Sequence, residues 1–188
     1  PASFGEVTPA ALFEKKSSTA ALTLGDCAKL LPDPSPVVTV ELTGAQLRQW
    51  LDTCAQWYTV TDAGQPAGGA EADFLYGMNY ELYLGSDPGK RVNFFTADGL
   101  PVQDEQVFTV AVSAARLRDP EFPACTVTWS AAADKDYASQ GGSAAALLAA
   151  YARNATSENQ TLTHIQSSTW SGYAGAYNTS LTRLEFVG

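Results

Sequence analysis

The chain has 188 residues, 45% of them hydrophobic, with 4 Trp, 8 Tyr and 8 Phe; that supplies a sizeable core and excludes disorder of the whole chain. With 20 acidic residues against 11 basic ones the net charge is -9, which excludes a nucleic-acid polymer as partner, because such binding draws on Lys and Arg releasing counterions, and gives no pull toward an anionic membrane surface. No stretch reaches the roughly 20 apolar residues that span a bilayer.

In chain order, Thr8 followed by Pro9 predicts a short helix opening near residues 8–13, since Pro is tolerated at the first helical position. A second short helix is expected over Cys27 to Leu31; it stops at Pro32, and Pro34 and Pro36 keep the next stretch extended. From Val37 to Leu42 the pattern alternates, with Val38, Val40 and Leu42 on one face, and predicts a half-buried strand. Thr43 then caps a helix whose apolar stripe is Leu47, Trp50, Leu51 and Cys54. Residues 62–72, rich in Gly, Ala and Pro, read as a loop.

Asn79 to Leu84 and Arg91 to Thr96, joined by Gly85-Ser86-Asp87-Pro88-Gly89, predict a hairpin. After the turn at Ala97-Asp98-Gly99, Gln106 to Val112 is expected to be a strand with Phe108, Val110 and Val112 on one face. Arg116 to Gln140 shows no regular pattern. Ser143 is expected to cap a helix running to Arg153. The tail has candidate strands at Thr161 to Ile165 and Leu181 to Phe186, flanking an aromatic, Gly-rich stretch from Trp170 to Tyr177. Strands and helices mix without strict alternation, so the fold class is α+β: mixed sheets with a few packed helices. The reading is a single domain over 1–188, with a core at 22–154 and residues 155–188 as a C-terminal extension packing on it.

Catalytic equipment is sparse. His164 is the one histidine, whereas two-metal phosphoesterases hold their ions with several imidazoles and carboxylates. No GxSxG elbow, P-loop or dinucleotide fingerprint occurs. Gly141-Gly142 before a helix can hold an anion or can simply mark a loop. Asp104-Glu105 and Asp134/Asp136 read as solvated surface. Cys27, Cys54 and Cys125 form no CxxC pair; buried thiols, or one disulfide with a cysteine left over, are both open. Asn154, Asn159 and Asn178 sit in Asn-x-Ser/Thr triplets that matter only if a eukaryote secretes the chain. The chain opens on Pro1 and its one methionine is Met78, so it reads as a piece of a longer protein.

Four segments in order carry a resemblance: Leu31-Pro32; Val40-Glu41-Leu42-Thr43-Gly44-Ala45-Gln46-Leu47 running to Leu51; Pro88-Gly89-Lys90-Arg91-Val92; and Gly99-Leu100-Pro101-Val102 leading to Val107-Phe108-Thr109-Val110-Ala111. Together they resemble the C-terminal domain of the 5'-nucleotidase family, and within it look like the branch of 2',3'-cyclic-nucleotide 2'-phosphodiesterase/3'-nucleotidases. The likeness covers residues 22–112 well and the rest loosely.

The resemblance implies a division of labour. An N-terminal metallophosphoesterase domain of the same chain would hold divalent metal ions and do the chemistry. This domain would hold a nucleotide or nucleoside between aromatic rings, with no cofactor of its own and no catalytic residue. It implies substrate-binding roles for Phe74, Tyr76 and the adjacent Gly77, and an extracellular, cell-wall-attached or periplasmic location. Three places depart from the family pattern. Ser113-Ala114-Ala115 stands where an Asn-aromatic pair is usual. Pro32-Asp33-Pro34-Ser35 replaces Pro-aromatic-x-Asn, and Leu117-Arg118-Asp119 replaces a Gly-Gly run. Two functions follow: the substrate-recognition domain of a secreted nucleotidase-like hydrolase, or a degenerate binding or structural module of a secreted surface protein.

Overall fold

The computed structural model describes residues 23–58, 73–157 and 170–172; the expected helix near 8–13, His164 and the candidate strands at 161–165 and 181–186 lie outside them. The first element is helix α1 (Leu24–Leu30). Thr23 opens it with a reciprocal cap: its N–H donates to Asp26 Oδ2 at 2.9 Å and its Oγ1 accepts from the Asp26 N–H at 3.2 Å. Such a box satisfies two otherwise unpaired backbone donors, which lets so short a helix form.

Strand β1 (Val37–Thr43) buries Val38, Val40 and Leu42 and leaves Glu41 exposed, as its alternation predicts. Thr43 closes the strand and caps helix α2 (Gly44–Ala55) through a second reciprocal box with Gln46. The expected stripe of α2 is all buried: Leu47, Trp50, Leu51 and Cys54. Gly44 is required by contact rather than by dihedral angle. A Cβ there would sit 2.2 Å from the Gln103 carbonyl oxygen and 2.6 Å from Val102 Cγ1.

The hairpin forms as strands β2 (Met78–Leu82) and β3 (Val92–Thr96), paired from Met78–Thr96 to Leu82–Val92. Strand β4 (Val107–Ser113) runs antiparallel to β1 along its whole length. The stretch after Arg116 contains a strand that the sequence reading left unassigned, β5 (Thr126–Ser130), on the other side of β1. Its residues alternate polar and apolar, yet its burial does not, because most of this edge strand stands in solvent. Helix α3 (Ala144–Ser157) follows, its start capped by the Ser143 hydroxyl accepting from the Ala146 N–H at 3.3 Å. Strand β6 (Trp170–Gly172), within the aromatic stretch, pairs parallel with β2.

The result is two three-stranded sheets, β4-β1-β5 and β3-β2-β6, with α2 packed between β1 and β3. Val38, Val40 and Leu42 of the first sheet share one core with Leu47 and Leu51 of α2 and with Tyr80, Leu82 and Phe94 of the second. Each such side chain contributes roughly 1.5–3 kcal/mol on burial. A satellite cluster joins α1 to α3 through Cys27, Ala145 and Ala149. Asp52 of α2 fixes the hairpin, accepting from the Gly89 N–H at 2.8 Å and the Arg91 N–H at 3.0 Å. This α+β arrangement matches the expected fold class.

Candidate functional site

At the Gly141-Gly142 step the backbone donors are already used, the Gly141 N–H by the Ala138 carbonyl at 3.0 Å and the Gly142 N–H by the Tyr137 carbonyl at 3.2 Å, which leaves neither for an anion. Gly142 has φ of +63° and is jammed against Ala131, where a Cβ would meet backbone carbon at 2.5 Å. Its carbonyl accepts from the Val37 N–H at 2.8 Å, and Ser143 already caps α3. Its glycine is a packing requirement. The three cysteines are free thiols. Burial, with the charges of Asp73, Asp119 and Glu121, pushes the Cys54 thiol up to about 12. It stays protonated and is no nucleophile at neutral pH.

A cleft of about 390 Å³ opens beside α2. Its apolar floor includes Leu42, Leu47, Trp50 and Leu51; β4 adds Val110 to Ser113, the Pro-rich segment adds Leu31, Asp33 and Ser35, and the segment before β2 adds Asp73 to Tyr76. A concave, mostly apolar pocket with a few converging polar groups is the usual form of a small-molecule site.

Phe74 and Tyr76 both line this cleft and are 46% and 72% exposed. Gly77 is not among the lining residues; it makes the turn into β2 with φ of +89°. The stretch Ser113-Ala114-Ala115 brings no ring, but the fold brings Trp50 and Phe122 to the same cleft, their centroids 5.0 Å apart and nearly edge to face.

Arg116 organises the polar side. Its Nη2 donates to Asp73 Oδ1 at 3.0 Å and its Nη1 to Asp119 Oδ2 at 2.9 Å, while the guanidinium lies 5.6 Å from the centre of the Trp50 ring. The indole N–H of Trp50 donates to Asp73 Oδ2 at 3.1 Å. Both oxygens of Asp73 are thereby engaged, and the segment carrying Phe74 and Tyr76 is fastened to α2 and to the chain after β4.

Asp33 lies apart from that network. It accepts from the Ser35 N–H at 2.9 Å and from the Ser113 hydroxyl at 2.5 Å. Burial works to raise its pKa, but the bonds from Ser113 and Ser35, with the charge of Arg118, outweigh it and hold the carboxyl below its ordinary 3.8. It is ionised at neutral pH.

Among the described residues no group of three or more His, Cys, Asp and Glu is placed to hold a metal ion. Asp73 and Asp119 are taken up by Arg116. No helix among the described residues is long and apolar enough to cross a membrane.

Fold and cleft together define an α+β domain with a concave, aromatic-rimmed pocket. The model of the 5'-nucleotidase C-terminal domain matches residues 2–120, more than half of the sequence, and the chain belongs to that family.

Three solved structures share the fold. A Staphylococcus aureus protein provisionally assigned as a 5'-nucleotidase, in complex with alpha-ketoglutarate, is 16% identical with a TM-score of 0.56, over 80% of this chain and 30% of that one. The 5'-nucleotidase precursor from Thermus thermophilus is 17% identical with a TM-score of 0.54, over 80% of this chain and 28% of that one. The sulfate thiohydrolase SoxB of Thermus thermophilus, in complex with glycerol, is 18% identical with a TM-score of 0.56, over 85% of this chain and 27% of that one. No curated protein matches. The chain thus spans less than a third of the length of these proteins, and the fold is shared by hydrolases named for different substrates.

The sequence reading missed Asp73, Arg116 and Phe122. Apart from the Arg116–Asp119 pair, their contacts join residues far apart in the chain, so local spacing could not have brought them to one cleft.

Proposed function

We propose that this domain is the nucleoside-recognition part of a secreted phosphoesterase of the nucleotidase type, in the cyclic-nucleotide 2'-phosphodiesterase/3'-nucleotidase branch, whose metal-bearing domain lies elsewhere in a longer chain. The observation that carries it is the cleft with Phe74 and Tyr76 exposed at its apolar wall. A nucleobase presents flat apolar faces, and a ring stacked on it contributes about 1–3 kcal/mol while tolerating different bases. Family membership supplies the context: the fold recurs in larger nucleotidases. In this reading the domain's part in the reaction is to hold substrate, and divalent ions act in the other domain.

Calorimetric titration of the full chain with nucleosides tests this. Phe74→Ala and Tyr76→Ala should each weaken binding by about fivefold to a hundredfold, the loss of one stack. A wild-type chain that binds no nucleoside would sink the reading.

A second reading has its own support. The end of β4 brings Ser113 rather than an aromatic ring to the cleft, and Asp33 and Ser35 line it where an aromatic and an Asn are usual. A non-catalytic binding or structural module of a secreted protein accounts for that; it would leave nucleoside titrations flat.

A further inference from the structure

We propose that the cleft selects a purine with paired N–H donors on its pairing edge, the 2-amino-6-oxo type, and that Asp33 reads those donors. This deepens the nucleoside-recognition reading and rests on it. The polar groups at the cleft divide into two sets. Asp73 lines the cleft and shares the Arg116 guanidinium with Asp119, which lies outside the lining, so each of those acids has a cation at hand. Asp33 also lines the cleft, yet its hydrogen bonds come only from neutral donors, the serines at 35 and 113. Among the described residues no cation stands within ion-pair distance of it, and the charge of Arg118 acts on it only from farther off.

An ionised carboxylate only accepts hydrogen bonds and offers about four lone-pair positions. The Ser35 N–H meets one oxygen and the Ser113 hydroxyl the other, which leaves each oxygen able to accept again. What meets them must donate. The guanine edge sets its ring N–H beside its 2-amino group, two donors side by side that match two carboxylate oxygens. The adenine edge sets a ring nitrogen lone pair beside its amino group, which would turn acceptor against acceptor. Beyond the two serines that hold Asp33, and Asp73 and Arg116, which are engaged with each other, the lining is mostly apolar, so Asp33 is the acceptor best placed to discriminate between purines of similar size. A buried mismatch of polar groups is the usual source of such selectivity.

The test is calorimetric titration of the full chain and of Asp33→Asn with guanosine, inosine and adenosine. Inosine keeps the ring N–H and lacks the 2-amino group. The wild type should bind guanosine about tenfold to a hundredfold more tightly than adenosine, with inosine between, since bonds to a charged acceptor are the strong ones. Asp33→Asn should erase that order. The ranking of the three ligands on the wild type needs no variant, so a variant that misfolds would not spoil the test. Equal affinities for all three would overturn the selectivity and spare the nucleoside reading. A uniform weakening of all three by Asp33→Asn, as when the carboxylate holds the ribose hydroxyls, would overturn it too. No binding of any nucleoside would remove both.

Discussion

Arg116 meets two carboxylates and one indole face with a side chain only 10% exposed. A planar fork of donors suits that role, since it can serve Asp73 and Asp119 at once and still lie on Trp50. Arg116→Ala would leave both acids without their cation in a part-buried setting. We expect it to cost roughly 3 kcal/mol, read as a lower urea midpoint at unchanged slope. Arg116→Lys should recover only part of the loss, because an ammonium is a point charge. Little of this network was legible beforehand. Asp73 and Arg116 are 43 positions apart, and each acid taken alone looks like solvated surface. Asp33 was visible in sequence only as a departure from a family pattern; its contact with Ser113, 80 positions away, needed the fold to show it.

Among the elements, β1 and α2 were the most readable, and for a physical reason. Both present one face to the core, so burial imposes period 2 on Val38, Val40 and Leu42 and period 3.6 on Leu47, Trp50, Leu51 and Cys54. The join is equally explicit, because Thr43 and Gln46 satisfy each other's backbone donors. β5 was missed although Val127 and Trp129 alternate with Thr126, Thr128 and Ser130, because five residues inside a long irregular stretch are a short signal. At the join, Gly44→Ala should do more harm than loss of the cap. Thr43→Ala removes a capping oxygen, about 1 kcal/mol. Gly44→Ala drives a methyl into the Gln103 carbonyl and Val102, and overpacking of that kind costs roughly 1–3 kcal/mol. Because a backbone atom is what stands in the way, the upper end is expected, and thermal melts of the two variants would rank them.

Across the whole molecule, α2 is what both sheets share. It packs on β1 and β3, and Asp52 reaches from it to the Gly89 and Arg91 amides with the Arg91 guanidinium 3.7 Å away. Asp52→Ala would strand two backbone donors and a cation whose side chain is 10% exposed, a loss of roughly 3–5 kcal/mol. Since the core is continuous across both sheets, the variant should still unfold in one step, with near- and far-ultraviolet dichroism coincident at a lower temperature. Two separated transitions would show that the sheets are joined more loosely than this. The bond from Trp50 to Asp73 has a consequence for how such a domain can vary over evolutionary time. It ties the segment that carries Phe74 and Tyr76 directly to the helix that floors the cleft. One side-chain bond therefore fixes the distance between wall and floor, and a substitution at residue 50 or 73 would be inherited together with a change at the other, because either partner alone leaves a part-buried polar group unmatched.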